Sequence, residues 1–202
     1  MTAGDVDLET PWRPGFITHR PTRVEHRMYG RGMSAPITAP SSADLVHLRR
    51  CLTLAREALD DGDEPFGSLI VDESGDVRYA DVNRVGGGDH TRHPEFAIAR
   101  WAAENMAPQQ RAAATVYTSG EHCPMCAAAH AWVGLGRIVY VASSQQLAAW
   151  REQWGLPPAP VLPLPVNAVA PDVPVSGPAD ELLDEIHDLH ARSAGIAPPR
   201  ME

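Results

Sequence analysis

Apolar residues recur along this chain with two periods, one helical and one strand-like, and their alternation predicts a mixed α/β domain. From Asp44 to about Asp60, Leu45, Leu48, Leu52, Ala55 and Leu59 share one helical face, with Asp44 read as the N-cap and Gly62 as the stop. Phe66 to Asp72 reads as a buried strand, Glu73-Ser74-Gly75-Asp76 as a turn, and Val77 to Val82 as the second arm of a hairpin. A loop from Asn83 to Thr91 carries Gly86-Gly87-Gly88, after which Phe96, Ile98, Ala99, Ala102 and Ala103 mark a helix to about Asn105. Thr115 to Thr118 reads as a strand, Cys123 to Val133 as a helix, Arg137 to Val141 as a strand, and Gln145 to Trp154 as a helix. This order predicts a mixed sheet with helices on both faces.

The flanks are less regular. Residues 1–42 are rich in Pro, Gly, Thr and Arg without periodicity and read as a flexible or loosely docked arm before a domain over 43–156. Between Pro157 and Pro178 eight prolines punctuate the chain, so 157–202 reads as an extended linker and a final helix. Within it, Val161 to Val166 is expected as an edge strand, and Leu182, Leu183, Ile186 and Leu189 as the apolar face of a helix from Ala179 to Arg192.

Composition narrows the functional classes. No apolar run approaches the ~20 residues of a membrane span, and the first thirty residues hold no apolar signal core, so a cytoplasmic location is expected. The net charge is −9 and the longest basic cluster is Arg49-Arg50, which argues against a long nucleic-acid partner. Three cysteines are present, two of them in Cys123-Pro124-Met125-Cys126; without a secretion signal that spacing points to metal or redox chemistry. Cys51 falls on an apolar helical face and reads as a buried, inert thiol.

Cys123 and Cys126 stand three apart at a helix start, so their sulfurs share one face of its first turn. The positive end of the helix favours the thiolates that bind metal, and Pro124 suits its first position. His93 opens another helix and completes a His-Cys-Cys set, leaving the fourth tetrahedral position for the water of a catalytic zinc. Glu95, two residues on, would lie beside that water as a proton carrier. Two alternatives stay open: a Cys123–Cys126 redox pair, and a closed structural zinc in which His130 joins the set. His90 and His122 are further candidate ligands in place of His93.

His93-Pro94-Glu95 with Cys123-Pro124-Met125-Cys126 resembles the H-x-E…P-C-x-x-C signature of zinc deaminases, with His122 standing where the signature has its proline. Glu64-Pro65-Phe66-Gly67-Ser68-Leu69-Ile70-Val71 resembles the first strand of the cytidine deaminase-like superfamily, and Asn83-Arg84-Val85 its post-hairpin segment. Thr118 to Ala127 resembles its zinc loop, and Gly136-Arg137-Ile138-Val139-Tyr140 the strand that follows. The resemblance runs from Asp44 to Trp154. It implies a three-layer α/β/α fold on a central mixed five-stranded sheet, bound Zn2+, and hydrolytic deamination.

Pro65-Phe66-Gly67 and Thr118-Ser119 are most similar to the guanine deaminases and related free-base or nucleoside enzymes. The tRNA-editing adenosine deaminases usually carry Pro-Val-Gly and Thr-Leu there. A small heterocyclic substrate and water are therefore the implied partners, in a homodimer, with a C-terminal tail that closes the site in some relatives. The resemblance also implies substrate contacts from Asn83, Phe66, Pro94, Glu121 and His122. Two positions depart from the pattern: His122 replaces a proline, and Pro94 replaces an alanine whose N–H usually donates to the base. Proline has no N–H.

Overall fold

The computed structural model describes residues 38–196. Most of the arm expected over residues 1–42 lies outside them. Helix α1 (Ser42–Asp60) starts earlier than Asp44 suggested. Ser41 is its cap: the Ser41 hydroxyl accepts the Asp44 N–H at 3.3 Å, and the Asp44 carboxylate accepts the Ser41 N–H at 2.8 Å. This reciprocal pair places Asp44 in the first turn rather than at the boundary.

Strands β1 (Gly67–Val71) and β2 (Val77–Val82) form the expected hairpin. Helix α2 (Pro94–Asn105) is followed by α3 (Pro108–Ala113), too short to leave a period in the sequence. Strand β3 (Thr115–Gly120), helix α4 (Pro124–Trp132), strand β4 (Arg137–Ala142) and helix α5 (Ser144–Gln153) come next. A short helix α6 (Val166–Val169), strand β5 (Val175–Ser176) and helix α7 (Leu183–Ser193) complete the described chain. The five strands lie in the order β2-β1-β3-β4-β5, antiparallel through β3 and parallel from β3 to β5. The sheet is therefore mixed, as expected.

Successive residues of a strand face opposite layers, and the core divides accordingly. Leu69, Val71, Tyr117, Val139 and Val141 pack with Leu48 and Leu52 of α1 and Ile186 and Leu189 of α7. Ile70 and Val116 pack with Ile98, Ala99 and Ala102 of α2, while Ile138 and Tyr140 pack with Ala127 of α4 and Val166. Only glycine fits at 67: a Cβ there would lie 2.3 Å from Leu54 Cβ and 2.6 Å from the Cys51 carbonyl oxygen. That absence lets α1 rest directly on β1.

The proline-rich segment corrects two expectations. Val161 to Val166 is not an edge strand; Val161 and Leu162 are exposed, and the parallel edge is the two-residue β5. The stretch from Val166 to Val175 is not an extended linker either, since Val166, Ala170, Val173 and Val175 are core residues. The final helix is preceded by a 3-10 turn, Asp180–Leu182, and packs on α1 of its own domain.

Candidate active site

Two helix starts create the site. His93 is the N-cap of α2 in an extended conformation, the geometry favoured before a proline. Cys123 is the N-cap of α4, again followed by proline, and Cys126 sits in the first turn. His93 Nδ1 lies 3.7 Å from Cys123 Sγ and 3.6 Å from Cys126 Sγ, and the sulfurs are 3.6 Å apart. A tetrahedral zinc with ordinary bond lengths places two sulfurs about 3.8 Å apart and a sulfur and nitrogen about 3.6 Å apart. The donor set and its spacing fit that ion. A disulfide would need sulfurs at about 2.05 Å, and both thiols are free.

The pair is electrostatically prepared. The hydrogen bond between the two thiols and the one with His93 hold the Cys123 thiol down to about 4 against the opposing effect of burial. Cys126 is pushed up by its hydrogen bond with Cys123 and by burial beside Glu95. His130 does not join the cluster: its Nε2 pairs with the Gly136 carbonyl at 2.8 Å, which removes the closed Cys2His2 alternative. His90 is exposed and His122 is buried elsewhere, so His93 is the histidine of the cluster.

Glu95 is buried at the second position of α2. Its Oε1 accepts from the Ser68 and Thr118 hydroxyls, each at 2.8 Å, while Oε2 lies 3.9 Å from Cys126 Sγ. Burial raises its pKa, and His93 opposes the shift only in part. A carboxyl group that gains a proton readily thus stands beside the three-atom cluster without belonging to it.

Residues 41–142 match the family model for the cytidine and deoxycytidylate deaminase zinc-binding region. The chain belongs to this deaminase family. A probable cytosine deaminase of Schizosaccharomyces pombe is 34% identical over 131 residues, covering 65% of this chain and 77% of the relative. A guanine deaminase of Bacillus subtilis is 32% identical over 102 residues, covering 50% of this chain and 65% of the relative. The solved guanine deaminase of Nitrosomonas europaea superimposes with a TM-score of 0.55 at 20% identity over 79% of this chain and 87% of its own. That last likeness is one of fold. The zinc expected from the sequence is the family's metal, and the cluster of His93, Cys123 and Cys126 is suited to it.

In this deaminase the expected substrate contacts separate into two groups. Asn83 is fully buried after β2; its Oδ1 accepts the Val85 N–H at 3.0 Å, and its Nδ2 has no partner among the described residues. Phe66 is half-buried, against Gly120 and the His190 ring 5.0 Å away. Pro94 is buried, between His93 and Glu95 in the chain. Glu121 and His122, by contrast, are engaged in the fold. Glu121 accepts the backbone N–H groups of Ser144 and Val166, both at 2.9 Å, and so ties the starts of α5 and α6 together. His122 is 1% exposed, edge-on to His130, and burial drives its pKa well down. Beside His93 a cavity of about 250 Å³ opens, lined by Arg84, Arg92 and Arg100 with Asp81 and Asp89.

The sequence reading missed Ser68 and Thr118. The available signal was Ser68 in the otherwise apolar, fully buried β1; Thr118 shares β3 with Thr115 and Ser119, so nothing in that strand singled it out.

Proposed function

We propose that the protein hydrolytically deaminates a small amino-substituted heterocycle, a free base or nucleoside, with His93, Cys123 and Cys126 as zinc ligands and Glu95 as proton carrier. The observation that carries this reading is Glu95: a buried carboxylate of raised pKa beside the thiol pair, held by neutral hydroxyls and by no cation. Zinc held by the three ligands would supply Lewis-acid chemistry and a water activated near neutral pH.

Glu95 takes one proton from the attacking water and delivers it to the ring nitrogen. The water oxygen bonds to the amine-bearing carbon. Glu95 then carries the second proton to the amine, the C–N bond breaks, ammonia leaves, and the oxygen remains as a carbonyl. In this reading the unpartnered Asn83 Nδ2 donates to an acceptor on the ring, and Phe66 offers an apolar face. The relatives include tRNA-specific adenosine deaminases as well as cytosine and guanine deaminases, and it is the −9 charge that favours a small substrate over tRNA. A homodimer accompanies this reading, supported by Trp132, which stands 87% exposed at the end of α4.

An ammonia-release screen over bases, nucleosides, triazines and pterins tests the reading, paired with metal analysis of Cys126→Ala. Activity on one such class is expected, with zinc lost from the variant. No ammonia from any class, or unchanged zinc, overturns it.

A further inference from the structure

We propose that Ser68 and Thr118 are positioning residues that fix which oxygen of Glu95 faces the thiol pair. The inference rests on the proton-carrying role given to Glu95 above. Ser68 on β1 and Thr118 on β3 are direct partners across the antiparallel ladder, so both side chains emerge on the α2 face of the sheet. Both are 0% exposed. Each hydroxyl lies 2.8 Å from Glu95 Oε1, and the two are 2.8 Å from one another. The three oxygens form a closed triangle under the start of α2.

The backbone alone does not orient that carboxylate. The terminal torsion of a glutamate is broad and roughly two-fold, so a helix fixes the stem and leaves the two oxygens free to exchange. Two donors arriving from one side remove this freedom. Oε1 is turned to the sheet, and Oε2 is left 3.9 Å from Cys126 Sγ. No arginine side chain is bonded to either oxygen among the described residues; besides Glu95's own backbone N–H, which belongs to the helix that carries the carboxylate, the two hydroxyls are its hydrogen-bond donors, and they alone reach it from the sheet.

A purely structural account of the pair is available, and it predicts different things. Thr118 also lies 2.9 Å from the Gly120 carbonyl, which by itself satisfies its hydroxyl donor. If the hydroxyls served only the sheet, the buried methyl of Thr118 would matter as much as its oxygen. Thr118→Val keeps the shape and removes the oxygen; Thr118→Ser does the reverse. Orientation of Glu95 depends on the oxygen alone.

The test combines crystal structures, zinc content and kinetics of Ser68→Ala, Thr118→Val, Thr118→Ser and Ser68→Ala/Glu95→Gln. Ammonia release is measured with cytosine, and with guanine if cytosine is inert. Ser68→Ala and Thr118→Val should keep their zinc and show the Glu95 carboxylate in two orientations. Their kcat should fall about 10- to 100-fold, the scale of one lost hydrogen bond to a charged group, with KM nearly unchanged. Thr118→Ser should retain one orientation and most of the activity. In the Glu95→Gln background, Ser68→Ala should cost nothing more. A single Glu95 orientation with normal kcat in both hydroxyl-free variants overturns the proposal, as does a Thr118→Ser loss equal to that of Thr118→Val. If Glu95→Gln itself turns over normally, the proton-carrier reading fails instead. The carboxylate orientation in the crystals is read without any substrate.

Discussion

Two buried carboxylates divide this molecule between chemistry and architecture. Asp44 and Glu95 are 3% and 5% exposed, yet their surroundings push them in opposite directions. Burial works against the charged form of Asp44, but Arg137 binds it through two nitrogens at 3.0 Å, Ser41 donates to it, and so does the Tyr117 hydroxyl at 2.9 Å. These hold Asp44 down to about 2. Glu95 has the burial without the cation, and its pKa rises. Removal from water is common to both sites; the donor set decides whether the carboxylate is locked as an anion or left able to exchange a proton.

Glu95→Gln gives the largest separation between the two. The amide keeps an oxygen for Ser68 and Thr118 but cannot carry the proton. Turnover should fall by ~10²–10⁴-fold or more, with zinc and fold retained and Tm unchanged or raised. Rapid turnover by this variant would break the contrast at its functional end.

Asp44→Asn should do the reverse. It removes the charge that faces Arg137, whose side chain is 34% exposed and partly hydrated, so the loss should be about 2–3 kcal/mol, below that of a fully enclosed pair. Denaturant unfolding should show the loss while kcat stays near wild type. A stable Asp44→Asn, or one with normal stability and low activity, would mean that the network does not anchor α1 to the sheet.

Much of this contrast was hidden in the sequence, for a definite reason. The His93–Cys123–Cys126 cluster and the carboxylate beside it were legible because all four residues sit at or just inside two helix starts, where short spacings fix geometry. The hairpin was legible because Glu73 to Asp76 can only turn. Asp44 was misread as a cap because Ser41 lies three residues before it and the box is reciprocal. Its real partners, Tyr117 and Arg137, are 73 and 93 residues away. Ser68 and Thr118 meet Glu95 across 27 and 23 residues. Local pattern places a residue on an element, but only sheet register and helix packing choose the partner. The two-residue β5 was similarly beyond periodicity, being too short to show one.

Acid sharpens the comparison by adding buried histidines. Burial, with Arg151 and His187 nearby, holds His190 at about 3, and burial holds His130 at about 4, both below the ordinary 6.5. A folded value below the unfolded one means stability that is full above pH 6.5 and lost as pH falls toward the folded value. Each histidine should cost about 2 kcal/mol by pH 5. Asp44 acts later: its contribution is present above its ordinary 3.8 and lost as pH falls toward about 2. His190→Leu, compared with wild type by urea unfolding from pH 8 to 4.5, should therefore show the shallower decline. Metal release is common to both proteins and cancels in the difference. Parallel curves would show that His190 gains a proton without unfolding cost.

Pro94→Ala is the finest probe, because it alters neither carboxylate and adds one N–H between His93 and Glu95. Pro94 occupies the first turn of α2, where no intrahelical partner exists for that N–H, so the fold should tolerate the change. A substrate carbonyl set against the proline would be a buried acceptor without a donor, at a cost of ~1–3 kcal/mol, or roughly 5- to 150-fold in affinity. Preferred substrates of the native protein should lack an acceptor there, or fill that space with a substituent. The variant should move kcat/KM toward guanine or cytosine while Tm and zinc content hold. If native and variant proteins rank the same panel identically, Pro94 only starts the helix, and selectivity must be sought at the other proposed contacts, Asn83 and Phe66.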